Sequence, residues 1–551
     1  MRSPRMGDNP SSYSPRLSFL DRISSHPLAA PLLYILALFL FVAFAIAPTL
    51  IGILGNLKLV GVALQDPQLL EQTRVAVVNS FAVASIVVAI DLVLGIPLAW
   101  LIARGRLPGL RFLDTLVDMP LVMPTAAAGY SVLLFWSNPE YSPVRGVVPI
   151  GFFTVLLLHF TFTFPYVVRT VVGGLQTADL SYEIPARTLG ASPLTTARTV
   201  TLPLIKPSII SALVLAYARS LSETGATMMV TGPHFFTGPV LIKYWKEQGR
   251  LEPLVFVSIV MILSSVMLLS ILSWVAKRYR IRLPWFSPVS EARLSGGGWT
   301  GLRDGAALLF FFAIIIIPTF FIFRAATDFR DWSALASHTE WRTFWGALGI
   351  SFAVAGLVTL VDAVLGIPVA LGIARRRYGR FTPVVDGLVS LPILVPTVAL
   401  GSSVHLLRQL YLRALPEFWA IVIAHISFTA PFLVKVFQAG VEAIDPEIEY
   451  VARTLGASPL RTFRTITLPI ARNALLAGAI LVFVRSVDET GATMAVVEKT
   501  QTAPVVLVAW VKKGLVPMSW AAFGGIVLVA VSFIALLIVR TIFGARMRVG
   551  G

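Results

Sequence analysis

Twelve long apolar runs constrain this chain more than any other feature. They fall at residues 32–54, 75–103, 116–136, 150–174, 207–230, 254–276, 306–323, 344–374, 383–406, 416–436, 473–497 and 520–539. A helix needs about 20 apolar residues to cross a hydrocarbon core, and each run approaches or exceeds that length. Charged residues make up 13% of the chain, about half the ~25% of soluble domains. A soluble or disordered chain is therefore excluded. A transmembrane barrel is excluded as well, because its strands alternate apolar and polar residues. The first run is longer than a signal-peptide core and lacks a clear small-residue cleavage site, so it reads as a span. The fold expected is an all-α polytopic membrane protein of about 12 transmembrane helices.

The sequence contains no cysteine, which removes disulfides, thiolate chemistry and cysteine metal sites. Its net charge of +17 would suggest nucleic acid in a soluble protein. In a membrane protein, Lys and Arg crowd cytoplasmic loops and set orientation. With the N-terminus placed in the cytoplasm, 29 Lys and Arg fall on the inner side and 14 on the outer. The remaining two, Arg219 and Arg485, lie inside apolar runs. Both termini are thus expected in the cytoplasm. The densest runs, Lys277-Arg278-Tyr279-Arg280-Ile281-Arg282 and Arg375-Arg376-Arg377, read as topology anchors.

The chain is also a tandem repeat. ARTLGASPL at 186–194 returns at 452–460, and ETGATM at 223–228 returns at 489–494, both at an offset of 266. DLVLGIPLA at 91–99 matches DAVLGIPVA at 362–370. Each half holds six spans, an even number, so both copies lie the same way up. Two parallel six-helix repeats should be related by a pseudo-twofold axis along the membrane normal, with a pathway on that axis. The expected segments are an N-terminal cytoplasmic piece at 1–30, six-span halves at 31–276 and 304–543, a cytoplasmic linker at 277–303 and a cytoplasmic tail at 544–551. Gly296-Gly297-Gly298 reads as a flexible connector within the linker.

The strongest motif lies between the fourth and fifth spans of each half. In the second half, Asp445 can cap a helix that starts at Pro446 with Glu447 and Glu449 in its first turn. Gly456 suits a left-handed stop, Ser458-Pro459 starts a second short helix, and Leu468-Pro469 is expected to end it. The first half repeats the pattern with Asp179, Glu183, Gly190, Ser192-Pro193 and Leu202-Pro203. The result is a rigid knob on the cytoplasmic face, through which a push would tilt the flanking helices.

The spacing Gly190, Val200, Leu202, Pro203, and again Gly456, Ile466, Leu468, Pro469, resembles the "EAA" loop of ABC-importer permeases. The resemblance covers nearly the whole chain as two fused transmembrane domains of the binding-protein-dependent, type I importer kind. It implies a place in a prokaryotic plasma (inner) membrane, that the loops, with Glu183, Ala186, Glu449 and Ala452, dock two ATPase subunits, and that a separate solute-binding protein serves the outer face. The family's Glu-Ala-Ala reads Ile184-Pro185-Ala186 and Tyr450-Val451-Ala452 here, with the acid one position earlier. No GxxxxGK[ST] phosphate loop, HExxH, GxSxG or Cys/His cluster occurs. No enzyme activity is expected in this chain: ATP and Mg belong to the partner subunits, and the chain itself binds no cofactor and no metal. Fused double permeases resemble iron(III) and thiamine importers, whereas Glu-x-Gly-Ala-Thr resembles molybdate, tungstate or sulfate permeases. A small inorganic ion is the favoured solute. The alternative is an ion-gradient-driven secondary transporter of six plus six spans, which calls for unpaired protonatable residues mid-membrane and no knob.

Ionisable side chains inside spans need a reason, since each disfavours insertion by about 2.5–3.5 kcal/mol. Arg219 with Glu223, and Arg485 with Glu489, are spaced i,i+4 in the fifth spans, and are read as lining or gating the pathway. His159 and His425 recur in the fourth spans with Pro165 and Pro431. They are read as pathway residues, with interhelical hydrogen bonds expected rather than a shared metal. Asp91 and Asp362 are read as helix–helix contacts. Pro120 with Pro124, and Pro392 with Pro396, predict kinked or broken third spans.

Overall fold

The computed structural model describes residues 19–105, 108–278 and 287–544. Residues 1–18 of the expected N-terminal segment, 279–282 of the basic run and 545–551 of the tail lie outside the described residues. Among the described residues the regular structure is entirely helical. Among the described residues nine helices are long and apolar enough to cross a membrane: Pro31–Leu54, Pro67–Arg104, Phe152–Thr177, Leu251–Val275, Gly297–Ala326, Thr339–Ala374, Glu417–Glu442, Pro459–Asp488 and Met518–Ala535. Three bent pairs bring the total to twelve, six in each half.

The bends have local causes. The third spans break between Leu110–Val122 and Thr125–Trp136, at 104°, and between Gly379–Leu394 and Thr397–Tyr411, at 97°. Pro124 and Pro396 sit at these breaks. Proline lacks the amide proton and forces the residue before it into extended backbone. Met123 accordingly has φ −75° and ψ 125°, and Val395 has φ −97° and ψ 134°. Their expected companions, Pro120 and Pro392, stay within helical turns and break nothing. The third bend, 71° between Pro193–Leu204 and Lys206–Ser222, occurs only in the first half. Pro207 stands there where the second half has Asn473.

Wide π-type turns occur at Val42–Ile46, Ala197–Thr201, Phe311–Ile316 and Phe463–Thr467. Each is followed within two residues by a proline: Pro48, Pro203, Pro318 or Pro469. The missing amide frees a carbonyl, and the widened turn absorbs the mismatch without a break. In the first half the short helix ends at Leu204, just past Leu202-Pro203, as expected, whereas Leu468-Pro469 does not end its helix. In the second half the helix continues from Pro459 to Asp488.

Within each half the second span packs along the fourth. A Cβ on Gly95 would lie 3.0 Å from Val167, and one on Gly366 would lie 2.8 Å from Leu433, so the absent side chains permit the close approach. At the same interfaces the Thr163 hydroxyl donates to Asp91, at 2.5 Å, and the Thr429 hydroxyl donates to Asp362, at 2.6 Å. Both aspartates are thus the helix–helix contacts expected of them.

The halves also exchange their first spans. Pro31–Leu54 packs on the third and fourth spans of the second half, and Gly297–Ala326 packs on the second, third and fourth of the first. The Ser131 hydroxyl fixes one crossing, donating to the Pro318 carbonyl at 2.7 Å and accepting from the Ile322 amide at 2.8 Å. The Ser131 hydroxyl is inserted into the helix bond that would join the Ile322 amide to the Pro318 carbonyl. Gly296 is not a flexible connector. It is the extended residue before a helix that begins at Gly297, and Ser295 just ahead of it accepts from the Leu194 amide, at 3.0 Å. The triplet itself is exposed, and it is Ser295 that is held against the first half's loop.

A Cβ at Gly52 would overlap the backbone carbonyl of Ser403. Gly52→Leu should therefore wedge the first span from the second half and lower stability by about 1–3 kcal/mol. Thermal unfolding in detergent checks this, and an unchanged midpoint would show that the crossing is not a tight contact.

Candidate functional site

Two places gather the residues singled out by sequence: a pair of loops at one end of the molecule and a constriction on the axis.

Each loop is built by its caps. Asp445 accepts from the Glu447 amide, at 2.9 Å, and starts Pro446–Thr454. In the first half Asp179 accepts from Ser181, at 2.8 Å, which holds its carboxyl below the usual range. There, Leu180 replaces Pro446, a single tight turn comes first, and the helix shortens to Glu183–Thr188. Gly190 and Gly456 have φ of +88° and +90°, a conformation that disfavours every residue with a side chain. Around them Ala191 N–H donates to the Ala186 carbonyl, at 3.0 Å, and Ala457 N–H to that of Ala452, at 3.1 Å. This is the bond across a left-handed helix stop. Ser192 and Ser458 then cap the next helices.

Glu183 and Glu449 face inward. Glu449 pairs with Arg375, at 2.9 Å, and accepts from Thr467, at 2.9 Å. Glu183 lies 3.6 Å from Arg104 and accepts from Thr201, at 3.0 Å. Both arginines end second spans, so the acids tie the loop to the membrane helices. Leu202, Pro203, Leu468 and Pro469 form the loop's exit into the fifth span. Beside exposed Arg187 and Arg453, the loops present two apolar side chains outward: Leu189 is 88% exposed and Leu455 83%.

Each loop is also clasped by the other half. Ser458 donates to Asp21, at 2.6 Å, on the short helix Phe19–Ser25. Glu291, on Pro288–Leu294, is buried against Arg198, at 2.8 Å, and accepts from Thr195. Sequence reasoning missed Asp21, Glu291, Arg104 and the pairing role of Arg375. Their partners lie about 75 to more than 400 residues away, so no local pattern marks them.

On the axis, both fifth spans break. Glu223 and Glu489 are extended, with ψ of 127° and 124°. One carboxylate oxygen reaches back to Arg219, at 2.7 Å, or Arg485, at 3.6 Å. The other accepts from the first free amides beyond the break, Ala226 at 3.1 Å and Ala492 at 2.9 Å. The expected ion pairs form, but across a helix end rather than on one continuous helical face. Phe162 and Phe428 lie beneath the guanidiniums, 4.9 Å and 5.8 Å from the ring centres.

The histidines splint the same breaks. His159 shares hydrogen bonds with Ser220, at 2.8 Å, and Thr227, at 3.0 Å, one on each side of the gap. His425 does the same with Ser486 and Thr493, both at 2.8 Å. These are the expected interhelical bonds. Among the described residues no three His, Asp or Glu side chains converge as metal ligands. Asp488 adds an asymmetry: it accepts from the Thr125 amide at the broken third span of the first half, whereas its counterpart Ser222 bonds its own helix.

The two breaks meet. A Cβ on Gly225 would overlap the Thr490 side chain, and one on Gly491 would lie 2.9 Å from Thr224 Oγ1. The axis is closed there by each glycine backbone meeting the threonine side chain of the other half. On the loop side of the closure lies a cleft of about 50 Å³, lined by Tyr166, Arg219, Ser222, Phe428, Phe432 and Arg485 among others.

Replacing His425 by Ala removes two hydrogen bonds in the membrane interior and should lower stability by about 1–2 kcal/mol. Melting of the chain in detergent should shift accordingly, and added zinc should not shift it. Stabilisation of the native chain by zinc that disappears in this variant would instead favour a metal role.

The family described as binding-protein-dependent transport system inner membrane component matches residues 95–281 and again 363–549. The chain is 28% identical to the molybdate/tungstate transport system permease protein of Thermococcus kodakarensis, over 43% of this chain and 91% of that one. It is 37% identical to the sulfate transport system permease protein of Salmonella typhimurium, over 30% of this chain and 61% of that one. It is also 37% identical to the molybdenum transport system permease protein of Escherichia coli, over 28% and 69%. The doubled match, the twelve spans in two repeats and the paired loops agree: the chain belongs to the inner-membrane permeases of binding-protein-dependent ABC importers, with two permease domains in one polypeptide.

Proposed function

We propose that this chain is the complete translocation pathway of an ATP-driven importer for a tetrahedral oxyanion of the molybdate, tungstate or sulfate class. The observation that carries the proposal is the pair of Arg219 and Arg485 guanidiniums lining one cleft on the axis, beside a closed constriction. The names of the relatives point to the same chemistry, and nothing in them favours iron(III) or thiamine.

In this reading the two loops face the cytoplasm, where the 29-to-14 bias of Lys and Arg puts them. Leu189 and Leu455 seat in two ATPase subunits, which bring ATP and Mg. A solute-binding protein docks at the opposite face. ATP binding draws the ATPases and loops together. Glu183 and Glu449, through Arg104 and Arg375, pass the movement to the second spans. The Thr224-Gly225 and Thr490-Gly491 contact then parts. The anion crosses to the guanidinium cleft and leaves when hydrolysis resets the loops. The chain performs no covalent chemistry. A gradient-driven carrier is less well supported, because both knobs are present and the acids Glu223 and Glu489 at the constriction are paired with arginines.

Purifying the tagged chain from its native membrane should bring down an ATPase at two copies per chain. Leu189→Asp with Leu455→Asp changes two exposed positions and should abolish that association while leaving the melting midpoint intact. Retained ATPase would exclude the loops as the docking surface.

A cysteine-free sequence makes crosslinking clean. Thr224→Cys with Gly491→Cys puts two Cβ atoms about 3.1 Å apart, close to the ~3.5–4.5 Å of a disulfide. Oxidation should stop uptake and reduction should restore it. Undiminished uptake by the crosslinked chain would move the gate elsewhere.

A further inference from the structure

On the far side of the constriction from the loops lies a recess of about 420 Å³. Its floor includes Met228 and Met494, three residues beyond Gly225 and Gly491. Its walls carry Lys243, Lys246, Lys512 and Lys513, opposed by Glu247 and Glu498. The lysines come from Gly238–Glu247 and Ala503–Lys513, the matching short helices after the fifth spans. They occupy non-equivalent positions: Lys243 matches Val508, and Lys512 matches Glu247. Copying of one half into the other therefore does not explain why they converge.

Their placement also opposes the topology bias. This is the end with few basic residues, yet four of its six lysines line one recess. Lys243 is only 7% exposed and is held by Glu247, at 3.1 Å. Lys246 donates to the Val497 carbonyl at the constriction's edge. Lys512 and Lys513 stand exposed at the rim.

We infer that this four-lysine recess is an entry site for the oxyanion, which receives it from the binding protein and holds it over the closed gate. The inference rests on the oxyanion reading above. Four ammonium groups against two carboxylates leave an excess of two positive charges, matching a dianion such as sulfate or molybdate. The concave shape places them around an ion rather than across a flat protein surface. Low-dielectric walls focus such a field and raise local anion concentration. Burial and the nearby Lys243 pull the Lys246 ammonium down to about 8, and an anion held beside it favours the charged form.

The test uses the permease with its ATPases and binding protein in liposomes, with radiolabelled molybdate and sulfate as probes. Lys512→Gln with Lys513→Gln changes two exposed rim residues. Uptake at limiting anion should fall about tenfold, while stimulation of ATP hydrolysis by the binding protein stays at the wild-type level. Equal uptake by variant and wild type would overturn the inference and leave the oxyanion reading standing. Parallel loss of uptake and of ATPase stimulation would overturn it too, making the lysines a docking surface for the binding protein. Failure of the wild-type assembly to take up either anion would remove the oxyanion reading and this inference with it. As a second readout, acetylation of Lys243 and Lys246 in the assembly should be slowed by tungstate relative to chloride at equal ionic strength. Equal rates would count against occupancy.

Discussion

A helix broken inside a hydrocarbon layer leaves amides and carbonyls that lipid cannot satisfy, so a break survives only where protein groups take over. The fifth spans meet that requirement twice. Glu223 and Glu489 each cap the far piece with one oxygen and hold an arginine on the near piece with the other. His159 and His425 bridge the same gaps from the fourth spans. Much of the functional geometry follows from these splints. They bring glycines 225 and 491 to the axis, keep two guanidiniums beside them, and make a constriction from backbone and small side chains. A seal of this kind can part without moving a large residue.

The splints are symmetric, but other contacts are not. Asp488 ties the second half's break to the third span of the first half, and Ser222 makes no such reach. The first half bends at Ile205 between loop and span, whereas the second runs straight from Pro459 to Asp488. The loops are clasped by different chemistries, a serine–aspartate bond on one side and a buried Glu291 on the other. The exchanged first spans make each half's helices part of the other's wall. Two domains related in sequence thus become one body whose halves need not respond equally to a push.

Much of the fold was legible because membranes impose simple rules. Apolar length marked twelve spans, the offset of 266 marked two halves, and Pro124 and Pro396 marked real breaks. Capping residues marked the loops down to Gly190 and Gly456, because helix ends follow local chemistry. The intramembrane charges and histidines announced themselves by being disfavoured in lipid. Where reading failed, the deciding contact was distant or compensated. Leu468-Pro469 was expected to end a helix, but a widened turn absorbs the missing amide and the helix runs on to Asp488. Gly296-Gly297-Gly298 was expected to flex, but Ser295 anchors it to Leu194 of the other half. The Arg104–Glu183 and Arg375–Glu449 pairs join residues more than 70 positions apart.

The sequence alone determined the solvent, the span count, the repeat and the identity of the loops, because each rests on periodicity, composition or local capping. It also named the groups that had to be paired. Only the tertiary structure decided which half each first span belongs to in space, that the acids splint breaks rather than decorate a face, and that lysines from non-matching positions share one recess. Those outcomes depend on approaches between chain segments far apart in order. No local pattern encodes such approaches, because the geometry of packed helices sets them only once the two halves have closed on each other.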